Sequence, residues 1–225
     1  NEITKLTKVN DPNYQGVLTG GISGGVGNTV QIHSVGYRPS TYYLLQQVYN
    51  SQNIPIEGLY VDRNGDGIIN NNDYYRAKSP EPEHMIGFST SVTCHQWTVS
   101  TVLRSQIGNY MYNNVFASNG VFRTSSLMYL GNVHRNYLET GFQNNQYFSD
   151  YYLENATFLR MDNLTVAYDF GQVFNKRANL RGTINVQNVF VMTKYRGLDP
   201  EIAGGIDNNF YPRPRIFSLG FNLDF

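Results

Sequence analysis

The last thirteen residues of the chain constrain its fold more than any other segment. They read R-P-R-I-F-S-L-G-F-N-L-D-F, so that large apolar side chains alternate with small polar ones. A period of two is typical of a β-strand, in which successive side chains point to opposite faces. The pattern predicts a strand that closes an outer-membrane β-barrel, with lipid on its apolar side and a polar lumen on the other. The alternative is an edge strand of a soluble sandwich. The apolar face would carry Phe217, Leu219, Phe221, Leu223 and Phe225.

The composition narrows the range of partners. The formal net charge is zero, from 17 basic and 17 acidic residues, so nothing favours a nucleic acid as partner. No run approaches the roughly 18 apolar residues of a helical membrane span. The single cysteine, Cys94, excludes an internal disulfide framework. The first ten residues lack the pattern of a signal peptide, so we expect either that processing removed one or that the chain is a piece of a longer protein.

Alternating segments recur along the whole chain and indicate an all-β fold. Short and long connections alternate between them, as they do between the turns and loops of antiparallel transmembrane barrels. On that rule the long connections are extracellular and the final strand ends on the periplasmic side. The predicted strands cover residues 2–9, 29–35, 41–48, 86–93, 97–106, 157–170, 179–189 and 213–225, and the long loops cover about 9–28, 49–85, 107–156 and 191–212.

The strand count leaves two architectures to compare. Eight strands can close a narrow barrel filled by side chains. The predicted inward faces, however, are rich in Ser, Thr, Asn, Gly and Arg, which suits a wide and wet lumen better. We therefore interpret residues 1–225 as about the last eight strands, the C-terminal part, of a larger barrel.

Several short sequence words occur in an order that resembles a known family. They include Y-V-D-R-N-G-D-G-I-I-N at residues 60–70, S-P-E-P at 79–82, S-Q-I-G-N-Y-M-Y at 105–112, F-L-R-M at 158–161, and N-V-F followed by Y-R-G-L-D-P-E within 188–201. Together with the terminal strand they cover roughly residues 28 to 225. In this order they resemble the SusC/RagA family of TonB-dependent outer-membrane transporters.

The resemblance implies a fold, a location and a set of partners. It implies a plugged barrel of about 22 strands in the outer membrane of a Gram-negative bacterium, in contact with its lipid. It also implies a SusD-like lipoprotein as lid, energy supplied through TonB, and import of oligosaccharides or oligopeptides without catalysis. The plug and the TonB-binding segment have no counterpart in this sequence, so we expect the chain to associate with the remaining N-terminal barrel and plug portion.

One acidic loop has the ligand spacing of a calcium site. Asp62, Asn64 and Asp66 occupy positions 1, 3 and 5 of an EF-hand-like loop, the Ile68 carbonyl occupies position 7, and Asp73 occupies position 12. An EF-hand uses a bidentate Glu at position 12, and flanking helices are not predicted here. The sequence therefore predicts Ca²⁺ as a cofactor, with a turn stabilised by Asx and Gly residues as the alternative.

Aromatic residues crowd the longest predicted loop among Asn and Gln residues. Aromatic faces beside amides suit both sugar rings and peptide backbones, so we select Tyr110, Tyr112, Tyr137 and Tyr147 as candidates for ligand contact. The alternative is that these rings pack within the loop or against the lid protein.

Two further functions compete with the importer. A soluble, calcium-stabilised, carbohydrate-binding β-sandwich would fold in buffer without detergent. A small eight-stranded porin or enzyme barrel would close and act in isolation. The four histidines lack metal-ligand spacing, and Cys94 has no partner acid nearby, so we expect no catalytic residue.

Overall fold

The computed structural model describes residues 1–6, 14–22, 27–122 and 133–225. The chain forms two compact units. The sheet unit comprises Glu83–Ile107, Thr157–Lys194 and Tyr211–Phe225, and the connector unit comprises Asn1–Pro82, Gly108–Ala156 and Tyr195–Phe210. In the part of the chain that the structure describes, no helix is long and apolar enough to cross a membrane.

The sheet unit is one antiparallel sheet of five strands. Its strands, numbered by their order in the whole chain, are His84–Cys94 (β7), Trp97–Ile107 (β8), Phe158–Val173 (β11), Ala178–Thr193 (β12) and Ile216–Asp224 (β14). The order across the sheet is β14-β12-β11-β8-β7. Short turns join β7 to β8 and β11 to β12 at one end of the sheet, whereas the long connections enter and leave at the other end. The predicted hairpin around residues 94–96 is confirmed, as are the three strands that follow it.

One face of this sheet is apolar across its full width. Residues that pair across neighbouring strands share a face, and one row of such pairs crosses all five strands. Most of its side chains are exposed, up to 69% for the last member. The row consists of Val92, Val99, Val166, Ile184 and Leu219.

The opposite face is polar across the same width. The row one residue further along carries only hydroxyl and amide side chains, because a strand alternates its faces with a period of two. The alternating sequence of the terminal strand predicts this division into one apolar face and one polar face. The polar row consists of Ser91, Ser100, Thr165, Asn185 and Ser218.

A β-bulge directs one aromatic ring on the apolar face. The register of β11 against β12 shifts between Asp169 and Gly171, where Gly171 has φ +73° and its amide donates to the Asp169 carboxylate at 2.8 Å. Bulges commonly re-aim a side chain in this way. The Phe170 ring consequently lies over Gly182, and a Cβ added at Gly182 would come within 3.1 Å of it.

The connector unit contains short strands and helices. The strands are Val17–Gly21 (β1), Thr29–His33 (β2), Thr41–Leu44 (β3), Gln47–Tyr49 (β4), Pro55–Tyr60 (β5), Tyr75–Arg76 (β6), Tyr110–Asn113 (β9), Leu153–Asn155 (β10) and Ile206–Asp207 (β13). They form sheets with the orders β1-β2-β3-β6, β10-β9-β13 and β4-β5. The helices are Asn114–Asn119 (α1) and Tyr137–Thr140 (α2), with 3₁₀ turns at Asn71–Asp73, Asp150–Tyr152 and Ala203–Gly205.

Three buried tyrosines, Tyr42, Tyr112 and Tyr152, belong to the core of the connector unit. Their rings supply apolar area, and their hydroxyls need partners once they leave water. The Tyr42 hydroxyl donates to the Gly205 carbonyl at 2.5 Å, and the Tyr112 hydroxyl donates to the Tyr147 carbonyl at 2.6 Å. The core residues include Val30, Tyr42, Leu44, Tyr112, Phe116, Phe142 and Tyr152.

The first half of the chain departs from the predicted wall of eight strands. The strands expected at 29–35 and 41–48 do form a hairpin, but they are short and pair within the connector unit. Val30, Gln31 and Ile32 are all buried, so β2 lacks the one-sided exposure of a wall strand. Residues 1–6 form no strand, and the rest of the segment expected at 2–9 lies outside the described residues. Five of the eight predicted strands thus form the five-stranded sheet.

Candidate functional site

A cleft of about 610 Å³ opens in the connector unit. Tyr43 on β3, Tyr74, Phe148 and the 3₁₀ turn residues Asn71 and Asn72 line it. The other lining residues that the structure describes are Gln15, Gly16, Leu18, Gly27, Thr29 and Ile32, and the described lining holds no Asp, Glu, Lys, Arg or His. The cleft is therefore formed by aromatic rings and neutral polar groups.

Three aromatic rings form a connected group on the wall of the cleft. The alternation of β3 buries Tyr42 in the core and directs Tyr43 to the other side. The centroids of Tyr43 and Tyr74 lie 5.2 Å apart, and those of Tyr74 and Phe148 lie 5.6 Å apart at an interplanar angle of 65°. Burial raises the pKa of Tyr74 to about 12, so its hydroxyl stays protonated at neutral pH.

Polar groups at the cleft are available for a ligand. The hydroxyls of Tyr43 and Tyr74 and the side-chain amides of Asn71 and Asn72 make no hydrogen bond to any other residue that the structure describes. The turn that presents the two amides is nevertheless fixed, because the Asn70 side chain accepts from the Asn72 amide at 2.8 Å and completes a capping box. The cleft thus offers neutral donors and acceptors on a rigid support.

The Arg76 guanidinium lies 5.6 Å from the centroid of the Tyr43 ring, next to the cleft, and is bonded to other partners. The Arg76 guanidinium donates to the Gln15 carbonyl at 2.6 Å and to the Ser34 hydroxyl at 3.0 Å. It also lies 4.8 Å from the centroid of the Tyr37 ring, within the range of a cation–π contact. These contacts engage its Nε and Nη2 donors, and Arg76 is not among the lining residues.

The acidic loop next to this turn folds on its own side chains. The Asp62 carboxylate accepts from the Gly67 amide at 2.7 Å, the Asn64 side chain accepts from the Asp66 amide at 3.1 Å, and the Asp66 carboxylate accepts from the Ile68 amide at 2.8 Å. These hydrogen bonds form the turn stabilised by Asx and Gly residues that is the alternative to a calcium-binding loop. They also hold Asp62, Asn64 and Asp66, three of the four predicted side-chain ligands, in one short loop.

Asp73 has a structural role at the end of this loop. It is buried, and its two carboxylate oxygens accept from the amides of Arg63 at 2.9 Å and Asn70 at 2.8 Å. The hydrogen bond from the Asn70 amide is the main cause that lowers the pKa of Asp73. Among the described residues, no group of three or more His, Cys, Asp or Glu gathers as a metal site. Calcium binding through Asp62, Asn64, Asp66, Ile68 and Asp73 stays a prediction.

The four tyrosines selected from the sequence do not gather in one site. Tyr112 is fully buried, so the expectation that its ring contacts a ligand is corrected: it is a core residue. The Lys78 ammonium lies 5.2 Å from the centroid of the Tyr110 ring. Tyr137 lies on α2, and Tyr147 packs against the core. None of the four lines the cleft. Ligand contact by Tyr110, Tyr137 and Tyr147 stays a prediction.

The residues of the cleft carry only a faint signal in the sequence. Tyr43 and Tyr74 each stand in a pair of adjacent tyrosines, and Asn71 and Asn72 follow the acidic loop. Such pairs suggest one buried and one outward ring on a strand. Nothing local shows that Phe148 joins them, because it lies 74 residues beyond Tyr74 in the chain.

The predicted terminal strand has the expected geometry. Phe217, Leu219 and Phe221 are 71%, 69% and 64% exposed on the apolar face of β14, and Leu223 and Phe225 continue the alternation. β14 pairs with β12 on one side. That this strand closes a barrel stays a prediction.

Comparison with known proteins gives related matches by sequence. No protein-family profile matches the chain. Over 234 aligned residues the chain is 38% identical to the TonB-dependent receptor SusC of Bacteroides thetaiotaomicron; the match covers the whole chain and 23% of SusC. It is 27% identical to the TonB-dependent receptor P26 of Formosa agariphila, over 74% of the chain and 19% of that receptor. The chain thus spans about a quarter or less of the length of these relatives.

Solved structures share the fold. The RagAB peptide importer in its open-open state matches 100% of the chain and 25% of that chain, with a TM-score of 0.69 and 22% identity. Its closed-closed state matches 89% of the chain and 24% of that chain, with a TM-score of 0.66 and 23% identity. The fold is therefore that of part of a TonB-dependent receptor β-barrel. The chain belongs to the SusC/RagA family, as its sequence words predict.

Proposed function

We propose that this chain supplies wall strands and loops to an outer-membrane importer of oligosaccharides or oligopeptides. The importer would reside in a Gram-negative outer membrane, take energy from TonB, and use a SusD-like lipoprotein as lid. The remaining barrel and plug would come from the rest of the receptor. In this proposal the chain binds and encloses cargo and performs no catalysis.

The observation that carries the proposal is the separation of the two faces of the sheet. The exposed apolar row from Val92 to Leu219 crosses five strands, and the neighbouring row is polar throughout. In water such a face would leave a large apolar patch exposed, which soluble monomers rarely do. A lipid-facing wall explains both faces, and the 16-residue strands β11 and β12 exceed the roughly 9–11 residues that cross a bilayer.

This observation also weakens the competing functions. A soluble β-sandwich would need a second layer to cover the apolar row, since apolar sheet faces pack against another element. A barrel of this chain alone would need a partner for the outer edges of β7 and β14, which have no paired strand among the described residues. Unpaired edges in lipid cost several kcal/mol for each unsatisfied backbone group.

Adjacent positions on β14 give a matched test of the wall. Leu219→Arg places a charge on the apolar face, and Ser218→Arg places the same charge on the polar face one residue away. An arginine on the lipid face costs about 2–4 kcal/mol at the bilayer midplane, whereas a lumen position tolerates it. We expect Leu219→Arg to reduce the heat-modifiable, folded receptor in outer-membrane fractions and Ser218→Arg to leave it near the wild-type level. Equal effects of both variants would contradict a lipid-facing wall.

The importer function itself is tested by uptake. Deletion of the complete receptor gene should abolish growth of the host on one defined oligosaccharide or oligopeptide, and re-expression should restore it. Purification in mild detergent should bring down a SusD-like lipoprotein. Loss of growth on no oligomeric nutrient, together with no co-purified lipoprotein, would refute the proposal.

We further propose that the acidic loop binds Ca²⁺, on the support of its EF-hand-like spacing and its three preorganised side chains. Chelation should then speed proteolysis of wild-type receptor within residues 62–73. Asp66→Asn keeps an oxygen for the Ile68 amide but removes a charge, so its cleavage should no longer respond to calcium. Identical cleavage of the wild type with and without chelator would refute calcium binding.

A further inference from the structure

We propose that the cleft between Tyr43, Tyr74, Phe148, Asn71 and Asn72 is a binding subsite for a neutral oligosaccharide. The inference rests on the proposed importer function and narrows its cargo to one chemical class. The cleft volume of about 610 Å³ falls within the range of roughly 300–1,000 Å³ that is typical of small-molecule sites. One or more sugar residues of a longer chain would occupy it.

The aromatic group provides the apolar part of the recognition. Tyr74 lies between Tyr43 and Phe148, with ring centroids 5.2 Å and 5.6 Å away. Sugar rings present apolar C–H faces as well as hydroxyls, and a rigid aromatic surface binds such faces with little loss of side-chain entropy. The rings hold one another in place, so the surface is preorganised for a ligand.

The neutral polar groups provide the second part. The side-chain amides of Asn71 and Asn72 and the hydroxyls of Tyr43 and Tyr74 bond no other described residue. Amides and hydroxyls donate and accept at once, which matches the hydroxyls of a sugar, since these also do both. A site built from such groups selects strongly against ligands that leave them unpaired.

The absence of charge from the described lining separates a neutral sugar from a peptide. A short peptide carries charged termini and often charged side chains, and a desolvated charge needs a partner. The cleft offers none among its described lining residues. The Arg76 guanidinium lies 5.6 Å from the centroid of the lining Tyr43 ring, but it is bonded to Gln15 and Ser34 and does not line the cleft. The same reasoning disfavours acidic sugars.

The experiment uses the complete receptor in detergent on an array of neutral oligosaccharides of varied linkage, with oligogalacturonides and Ala-Gly hexapeptides as comparison probes. Tyr74→Ala removes the central ring, and the double variant Asn71→Ala/Asn72→Ala removes two exposed amides without disturbing the core. Tyr211→Ala and Gln52→Ala are the matched controls, because both residues are exposed and lie outside the cleft. Tyr74→Phe tests the hydroxyl while keeping the ring.

We expect the wild type to bind at least one neutral oligosaccharide, which is then titrated by calorimetry. Truncation of an aromatic anchor should weaken this binding about tenfold or more, and the controls should stay within about twofold. The inference is overturned if no neutral oligosaccharide binds, if binding does not depend on Tyr74 and the two asparagines, or if the charged probes depend on them instead. Host growth on peptides that requires the receptor would in that case leave the importer standing and refute only the neutral-sugar site.

Discussion

Two adjacent glycines allow a sharp test of the packing in the connector unit. Gly204 and Gly205 both have positive φ, +81° and +74°. A Cβ added at Gly204 meets nothing within 4 Å, whereas one added at Gly205 would overlap with the Tyr42 hydroxyl and the Pro80 ring. Gly204→Ala therefore reports the backbone cost alone, and Gly205→Ala adds a steric conflict at the fully buried Tyr42.

The difference between the two variants can be worked out from these contacts. An alanine in the left-handed region costs about 1–2 kcal/mol at either position. Overpacking against buried groups adds about 1–3 kcal/mol, and the loss of the 2.5 Å bond from Tyr42 to the Gly205 carbonyl adds about 1 kcal/mol. We expect Gly205→Ala to destabilise the local structure by about 3 kcal/mol more than Gly204→Ala does, which is about a hundredfold in an opening equilibrium.

Hydrogen exchange on the intact receptor measures this opening directly. The amide of Tyr42 donates to the Lys78 carbonyl, and the amide of Ala77 donates to the Tyr42 carbonyl. Where exchange is limited by the opening equilibrium, the rate reports the free energy of local opening. Peptides that cover these amides should exchange about a hundredfold faster in Gly205→Ala than in Gly204→Ala. Equal loss of protection in the two variants would refute the steric argument, and a larger loss in Gly204→Ala would refute the assigned packing.

Three further perturbations follow from the geometry. Gly182→Val should displace the bulged aromatic ring that covers it and lower stability of the folded receptor by about 1–3 kcal/mol, whereas Gly220→Val, where a Cβ meets nothing within 4 Å, should not; urea unfolding in detergent compares them. The lowered pKa of Asp73 gives a stabilisation that is present above its usual value of about 4 and is lost as the pH falls through the folded value, so the acidic loop should become sensitive to pepsin at low pH in the wild type, with a weaker pH dependence in Asp73→Asn. Burial raises the pKa of Tyr60 and Tyr74 to about 12. The stabilisation from their neutral hydroxyls is therefore present below pH about 10 and is lost as the pH rises through 12. Ultraviolet difference spectra should show less tyrosine ionisation at this high pH in Tyr74→Phe than in the wild type, and an unchanged spectrum there would contradict the burial of Tyr74.

The sheet unit could be predicted from the sequence because successive side chains of each strand point in turn to its apolar face and to its polar face. Strands between an apolar and a polar medium must alternate, and the alternation is visible in β8, β11, β12 and β14 without any knowledge of their partners. The order of the five strands then follows because strands that are sequential among the predicted ones pair as neighbours, whether a short turn or a long connection joins them. The predicted bounds agree with the observed ones to within a few residues for each of these strands.

The connector unit could not be predicted in the same way. Gln31 reads as the polar side of an alternating strand, yet it is buried, because its side-chain amide donates to the Gly204 carbonyl at 2.7 Å. The two residues are 173 positions apart, so no local pattern reports the contact. The segments that we predicted as loops also contain β9, which pairs with β13 from a different predicted loop. They contain β1 and β5 as well, which add strands to β2 and β4.

The cleft depends on long-range packing as well. Its three aromatic rings come from separate segments of the chain. Tyr43 lies on β3, Tyr74 follows the first 3₁₀ turn, and Phe148 lies just before the 3₁₀ turn at Asp150–Tyr152. Aromatic and amide composition predicts such a surface in the longest loop, residues 107–156, whereas the cleft takes only Phe148 from that segment. The candidate Tyr112 packs into the core instead. The kinds of side chain that line the cleft, aromatic rings and amides, match the predicted composition, whereas the individual residues could not be predicted.

The hydroxyl of Tyr42 bonds carbonyls from two other segments of the connector unit. It donates to the Tyr110 carbonyl at 3.0 Å and to the Gly205 carbonyl at 2.5 Å. The three segments that share this core are separated in the chain by strands of the sheet unit. They cannot diversify one at a time, because a substitution in one segment changes what the other two will accept. Recombination that exchanges a single segment between relatives should therefore fail more often than exchange of all three together.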